Sequence, residues 1–118
     1  MADAGLFVGW GSVVRGREAQ SLDLFNEFLG YLGGLAESGE IDSFEPVFLE
    51  PHGGDLAGFV LIRGDADRLH SIRISDEWTK HMTRGGLMTE NFGVVHAALG
   101  EGVERQMAMY VKEIGALA

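Results

Sequence analysis

The sequence contains no cysteine, which excludes disulfide bonds, thiolate catalysis and cysteine-based zinc sites. Basic residues are scarce, since 9 lysines and arginines stand against 18 aspartates and glutamates, for a formal net charge of −9. Phosphate binding needs a basic surface, so we predict no nucleic-acid partner and no anionic membrane partner. No apolar run approaches the roughly 20 residues that span a bilayer. The N terminus lacks the basic and apolar regions of a signal peptide, so we predict a cytoplasmic location.

Proline is also scarce, with 2 residues, and one of them carries information about the fold. Pro46 lies inside residues 41–50, a stretch that we interpret as the second of four strands. Proline has no backbone N–H to donate to a neighbouring strand, so it is tolerated mainly at sheet edges and bulges. The sequence therefore predicts that this strand lies at an edge or contains a bulge.

Long polar stretches are missing from the other three predicted strands. The central strand is the continuous apolar run at residues 56–63, and residues 6–14 and 89–99 have a similar strand-forming composition. An antiparallel sheet with one solvated face alternates apolar and polar residues. These strands are apolar on both faces, which indicates that both faces of the sheet are covered.

Apolar residues at helical spacing predict the helices. Residues 22–38 carry such a stripe, with Ser21 as the N-cap and Gly39 as the residue that ends the helix. Three glycines inside this helix indicate either close packing through them or a locally loose helix: Gly30, Gly33 and Gly34. A last helix, with an apolar stripe of its own, begins near Val103.

A single helix after residue 65 cannot bury both Leu69 and Trp78. At 100° per residue these two side chains lie on opposite sides of one helix. A break at residues 74–75, with Ser75 as the N-cap of a second helix, brings both into one core. Residues 85–86, both glycine, are expected to end that second helix.

The resulting order of elements, β-α-β-β-α-β-α, is the ferredoxin-like order with an added C-terminal helix. We therefore predict an α+β fold with an antiparallel sheet, in a single domain over residues 1–118. The helices of such a unit lie on one face of the sheet and leave the other apolar face uncovered. A second copy of the chain, the C-terminal helix or a ligand could cover it. We predict a homodimer through the sheet face, because symmetric dimers are the commonest solution.

The segments SDEWTKHM (75–82), NFGVVH (91–96) and GEGV (100–103), with this order of elements, resemble small uncharacterised members of the dimeric α/β-barrel superfamily. There, two ferredoxin-like units pack sheet to sheet into a barrel, so the resemblance implies the same assembly here. The superfamily includes cofactor-independent monooxygenases, haem proteins, lactone isomerases and many proteins without known activity. Its haem-degrading members use an asparagine in the first strand, which this chain lacks, and we predict no cofactor.

Five residues are candidates for a ligand pocket between the sheet and the helices: Trp10, Arg63, Trp78, His81 and His96. Trp78 and His81 lie one turn apart on a predicted helix, so their side chains can be neighbours. His96 lies mid-strand, where an imidazole is either hydrogen-bonded in the core or turned into a pocket. Arg63 either forms an ion pair at the rim of the sheet or anchors a small anion. We predict no metal site.

These candidates are compatible with two functions, and the sequence does not decide whether the chain is an enzyme. The first is a homodimer that binds a small apolar or aromatic ligand between the sheet and the helices. The second is a cofactor-independent monooxygenase or isomerase acting on a small aromatic or phenolic substrate. In the second, His96 or His81 removes a proton and Arg63 holds the anion. That function predicts a cavity in which an imidazole faces inward beside an arginine or asparagine.

Overall fold

The computed structural model describes residues 3–118. Met1 and Ala2, part of the segment in which we predict no signal peptide, lie outside the described residues. The elements are β1 (Ala4–Trp10), α1 (Glu18–Glu37), β2 (Ser43–Phe48), β3 (Gly58–Gly64), α2 (Ala66–Arg73), α3 (Asp76–Met88), β4 (Gly93–Ala98) and α4 (Glu101–Leu117). This is the predicted order, with the helix between β3 and β4 in two pieces.

The four strands form one antiparallel sheet in the order β2-β3-β1-β4. β2, which contains Pro46, is an edge strand, so this prediction is confirmed. Within residues 3–118 the two edge strands, β2 and β4, are not paired with each other, and the sheet of the chain is open. Four strands do not close into a barrel by themselves, so the barrel implied by the resemblance requires a second chain.

The core lies between one face of this sheet and the helices α1, α2 and α3. Val8 of β1 is paired with Val60 of β3 and with Val94 of β4, so their side chains leave the sheet on the same face. Side chains of both layers are buried together in this core: Leu6, Val8, Val60 and Ile62 from the sheet, and Phe28, Leu32, Leu69, Ile72 and Trp78 from the helices.

The break between α2 and α3 falls where the sequence predicts it. α2 ends at Arg73, and α3 begins at Asp76 with Ser75 as its N-cap. The Ser75 hydroxyl oxygen accepts a hydrogen bond from the backbone N–H of Trp78, at 3.3 Å. Leu69 is fully buried and Trp78 is 3% exposed, so the break brings both side chains into one core.

Two helix ends differ from the prediction. α1 begins at Glu18, one turn before the predicted start, and the hydroxyl of Ser21 donates to the carbonyl of Glu18 inside the helix instead of capping it. α3 continues through Gly85 to Met88. A side chain at position 85 would come within 2.6 Å of the Phe92 ring, so this glycine permits close packing instead of ending the helix.

The C-terminal end of α1 agrees with the prediction, but its glycines do not pack. Gly39 follows the helix with φ +80°, the left-handed conformation that favours glycine at this position. Apart from adjoining residues and the nearby backbone of α1 itself, no described atom lies within 4 Å of the positions that side chains at Gly30, Gly33 or Gly34 would occupy. Close packing through these three glycines is therefore not found within residues 3–118.

The opposite face of the sheet is apolar and faces away from α1, α2 and α3. Phe7 and Phe59 stack there at 4.9 Å between ring centroids, and Leu61 is paired with Phe7 across β1 and β3. Val95 of β4 is 56% exposed on the same face. α4 does not fold across it, since residues 103–118 are all exposed. We call this surface the open sheet face.

Candidate functional site

A cavity of about 410 Å³ lies between the core face of the sheet and the helices α1 and α3. Five aromatic side chains line it: Trp10, Phe25, Phe28, Phe48 and Phe92. Its volume falls in the range of about 300–1,000 Å³ that is typical of small-molecule sites. The cavity is therefore large enough for a small organic molecule.

The aromatic end of the cavity is built by β1, α1 and β2. Trp10 ends β1 on the same face as Val8, because side chains alternate along a strand. Phe25 of α1 meets the Trp10 ring edge to face, with 5.4 Å between centroids and 64° between planes. Phe48 completes the group at 5.7 Å from Phe25. Trp10 meets both phenylalanine rings edge to face, a geometry that aromatic pairs prefer, and a flat apolar ligand could join the three rings.

The entrance of the cavity lies near the N-terminal half of α1. Leu22 and Phe48 both line the cavity and are 61% and 72% exposed, so the cavity reaches solvent beside them. Leucine and phenylalanine side chains are more often buried than this. Their exposure gives an apolar ligand a path of entry.

Few polar side chains line the cavity, and most of them already have a partner. Arg84 forms an ion pair with Glu27, at 2.8 Å between Nη1 and Oε2. Both side chains are more than a third exposed, so this pair adds little stability and the guanidinium can turn toward a ligand. The hydroxyl of Thr89 donates to the carbonyl of Gly85 at 2.8 Å, which leaves its lone pairs free to accept.

His81 is the buried titratable group of the cavity wall, at 7% exposure. Its ring stacks on Tyr31 at 4.7 Å and lies 5.5 Å from Phe28, and its Nε2 is 3.5 Å from a carboxylate oxygen of Glu77. Burial lowers the pKa of His81, and this outweighs the opposing effect of the Glu77 charge. Burial likewise raises the pKa of Tyr31. His81 is therefore a neutral imidazole near neutral pH.

Of the five predicted pocket residues, the structure brings two to the cavity wall, Trp10 and His81. Trp78 lies behind the wall, edge to face with Phe28 at 6.0 Å between centroids. Arg63 lies on the open sheet face and pairs with Glu45 at 3.4 Å. His96 is paired with Leu6 on the helix side of the sheet, but it lies on an edge strand and is exposed.

The aromatic residues of α1 and β2 were not among the sequence candidates for the pocket. Phe25 and Phe28 lie on the apolar stripe of α1, and such a stripe is more often core than ligand site. Here both side chains line the cavity, Phe28 as a buried residue and Phe25 as a partly exposed one. The other sequence signal was in β2, where Phe44, Pro46 and Phe48 share one face of the strand and so place Phe48 beside other apolar side chains.

No three histidine, aspartate or glutamate side chains within residues 3–118 come together as ligands for a metal ion. None of the helices in that range combines the length and apolar character that crossing a bilayer demands.

No protein-family model and no curated protein matches the chain. The chain is similar to a crystal structure of a dimeric protein of unknown function and ferredoxin-like fold from Bacteroides fragilis NCTC 9343. The two match over 82% of this chain and 97% of the other, with a TM-score of 0.58 and 11% sequence identity. At this identity the likeness concerns the fold alone. This chain has a ferredoxin-like fold, as its sequence resemblance implies.

Proposed function

We propose that this chain forms a homodimer in which each subunit binds a small apolar or aromatic ligand in the cavity between the sheet and the helices. The observation that carries the proposal is the cavity of about 410 Å³ with its wall of aromatic rings. Small-molecule sites are mostly apolar and carry a small number of polar groups that fix the orientation of the ligand. Thr89, His81 and Arg84 would provide those groups.

The proposed ligand carries no net charge. His81 offers a neutral imidazole, and the guanidinium of Arg84 is already matched by the carboxylate of Glu27. An ionised ligand group that lost its water without gaining a partner would be strongly disfavoured. A flat ring with one hydroxyl group fits these walls, because the hydroxyl can bond to the imidazole or to the free lone pairs of Thr89.

The homodimer is supported by the open sheet face. Phe7, Phe59, Leu61 and Val95 leave the sheet on a side that no helix within the described residues covers. Contiguous apolar surface of this kind marks interaction sites in soluble proteins. The similar crystal structure is described as that of a dimeric protein, which agrees with this proposal. We propose that two open sheet faces pack together and complete an α/β barrel.

Binding can be tested with 1-naphthol, a neutral aromatic probe with one hydroxyl group. Trp10 lines the cavity, so its fluorescence should change as the probe binds, whereas a Trp10→Phe variant should lose most of the signal. Ser21 also lines the cavity, and Ser21→Phe should fill the space and abolish binding. Gln20→Phe is the matched control, since it places the same ring on an exposed neighbouring position.

We expect saturable binding to the unchanged protein and to the Gln20→Phe variant, and none to the Ser21→Phe variant. Equal binding by all three would place the probe outside the cavity. Absence of binding by the unchanged protein, tested over a series of neutral aromatic probes, would end the proposal.

A second candidate is a cofactor-independent monooxygenase or isomerase acting on small phenols. The observation that favours it is that His81 and Arg84 line the same cavity. A neutral imidazole can accept the phenolic proton, and the guanidinium can hold the resulting anion if it leaves its exposed ion pair with Glu27. In this arrangement Arg84 replaces Arg63, which lies on the open sheet face.

An oxygen electrode tests this candidate with 1-naphthol as substrate. One molecule of naphthol and one of O₂ would give one naphthoquinone and one water. The unchanged protein should consume oxygen faster than the His81→Gln variant. Equal rates in the two proteins would reject the monooxygenase form of this candidate and leave the binding function intact.

A further inference from the structure

α4 carries an apolar seam that no other part of the described chain covers. Its residues recur at alternating spacings of four and three, as in the a and d positions of a coiled coil. The seam consists of Val103, Met107, Tyr110, Ile114 and Leu117, which are 42%, 64%, 71%, 54% and 88% exposed. Five large apolar side chains on one stripe of an exposed helix indicate a contact surface.

The first turn of α4 is fixed on its own chain, so the direction of the helix is set there. Gly102 is buried, and a side chain at this position would overlap the carbonyl oxygen of Asp3. Arg105 forms an ion pair with the Asp3 carboxylate, and this hydrogen bond lowers the pKa of Asp3. Beyond Gly102 every residue of the helix is exposed, and the seam begins at this first turn.

A partner would stabilise this helix through its seam. α4 has 17 residues, and in proteins most helical stability comes from the packing of an apolar face. Its seam spans about two heptads, fewer than the roughly three or four that indicate a coiled coil. The seam therefore fits a larger interface better than a coiled coil of two such helices alone.

We propose that the seam of α4 packs on a second copy of this chain, so that each subunit extends its last helix across the other. This inference rests on the homodimer proposed above. It is supported by continuity, because Leu99, two residues before α4, packs over Gly5 on the open sheet face. The chain thus passes from the open sheet face into α4, and a single two-fold operation can cover both surfaces on the two chains.

The apolar area of the seam and of the open sheet face also favours a second copy of the chain as the partner. A stable interface buries about 800 Å² on each partner. On the open sheet face, Phe7, Phe59 and Leu61 are already half-buried by their neighbours, so that face alone offers less. The seam adds five large apolar side chains that are 42% to 88% exposed. The two surfaces together therefore come closer to the size that a stable dimer needs.

The charge of α4 argues against a membrane as the occupant. The helix carries three glutamates against one arginine and one lysine: Glu101, Glu104, Glu113, Arg105 and Lys112. Helices that lie on anionic membranes carry basic residues on their polar face. The chain as a whole is also acidic, with a formal net charge of −9.

Two methionines on opposite faces of α4 give a matched test. Met107 belongs to the seam and is 64% exposed, while Met109 points away from the seam and is 56% exposed. The dissociation constant of the dimer is measured by analytical ultracentrifugation for the full chain and for Met107→Glu and Met109→Glu. We expect Met107→Glu to raise this dissociation constant about tenfold or more, because in each subunit a charge replaces a methionine that the proposed dimer buries. Met109→Glu should leave it unchanged.

The same variants distinguish failure of this inference from failure of the homodimer. If the unchanged chain dimerises and both variants dimerise equally well, or are weakened equally, α4 does not pack through its seam and the homodimer stands. A monomeric unchanged chain would overturn both proposals. Val95→Glu marks the open sheet face independently, since it should weaken any dimer that uses this face.

Two further measurements would show that the seam packs on something other than a second copy of the chain. If α4 covered its own sheet, Met107→Glu would lower the thermal midpoint without changing the dissociation constant. If it bound lipid, the unchanged chain would sediment with phosphatidylcholine vesicles and Met107→Glu would not. Either result overturns the inference. Slow hydrogen exchange of the α4 amides in the dimer, lost on dilution to monomer, is the result we expect.

Discussion

Replacing Ser75 with alanine removes the hydroxyl that holds the break between α2 and α3. This hydroxyl donates to the carbonyl of Ile72 at 2.6 Å and accepts from the N–H of Trp78 at 3.3 Å. Both bonds are partly buried, so water replaces them incompletely. Loss of an N-cap lowers the free energy of unfolding by about 1 kcal/mol, within a range of about 0.5–2. For a chain of this size that corresponds to a fall of about 4 °C in the thermal midpoint.

The matched control is Ser71→Ala in α2. The Ser71 hydroxyl also donates to a helix carbonyl, that of Asp67 at 3.2 Å, but the residue is exposed and caps no helix. This change should alter stability by less than about 0.5 kcal/mol. Ser75→Asp should retain most of the stability, because aspartate is an equally good N-cap. Urea unfolding followed by circular dichroism compares all four proteins.

Two results would refute this reasoning. If Ser75→Ala and Ser71→Ala lower stability equally, the Ser75 hydroxyl contributes no more than any surface serine. If Ser75→Asp is as unstable as Ser75→Ala, the loss does not come from capping. In either case the position of the break would have to be set by the burial of Leu69 and Trp78 alone.

Two further predictions concern His81 and the first turn of α4. Burial lowers the pKa of His81 below its ordinary value of 6.5, so the unfolded chain binds more protons than the folded chain just below that pH. The neutral His81 therefore contributes its full share of stability above about pH 6.5, and this share is lost as the pH falls toward the pKa of the folded state. As the pH is lowered, the urea midpoint should fall more steeply for the unchanged protein than for His81→Gln. Parallel curves of urea midpoint against pH would contradict this. Gly102→Ala should lower the thermal midpoint, because the added methyl group meets the carbonyl oxygen of Asp3. Gly115 has open space around it, so Gly115→Ala should raise the free energy of unfolding by up to about 1 kcal/mol. Equal effects of the two glycine changes would refute this account of the first turn of α4.

Local signals in the sequence were sufficient for the order of elements. The edge position of β2 follows from Pro46, because a missing N–H is incompatible with a central strand. The break before Ser75 follows from the angle between Leu69 and Trp78 on a continuous helix. Both arguments concern a single element and its geometry, and the structure confirms both.

The helix ends that differ depend on contacts between elements. Gly85 looks like a helix terminator in the sequence, yet it lies inside α3 because the Phe92 ring occupies the space of its missing side chain. The start of α1 at Glu18 places Ser21 inside the helix, where its hydroxyl bonds to a carbonyl one turn back. Neither contact can be inferred from periodicity.

The candidate site was only partly predictable for a related reason. Trp10 and His81 follow from their positions at the end of a strand and on an inward helix face. The exposure of His96 depends on β4 being an edge strand, and the cavity itself depends on how far α1 and α3 lie from the sheet. These are distances between elements that lie far apart in the sequence, and composition and spacing do not fix them.

Native mass spectrometry tests the homodimer with a ligand in each cavity most directly. The chain has a mass of 12.8 kDa. We predict that the purified protein appears at twice that mass, and that added 1-naphthol binds with up to two molecules per dimer. The Ser21→Phe variant should form the same dimer without the probe. A protein found only as a monomer, or a dimer that never retains the probe, would contradict the proposed function.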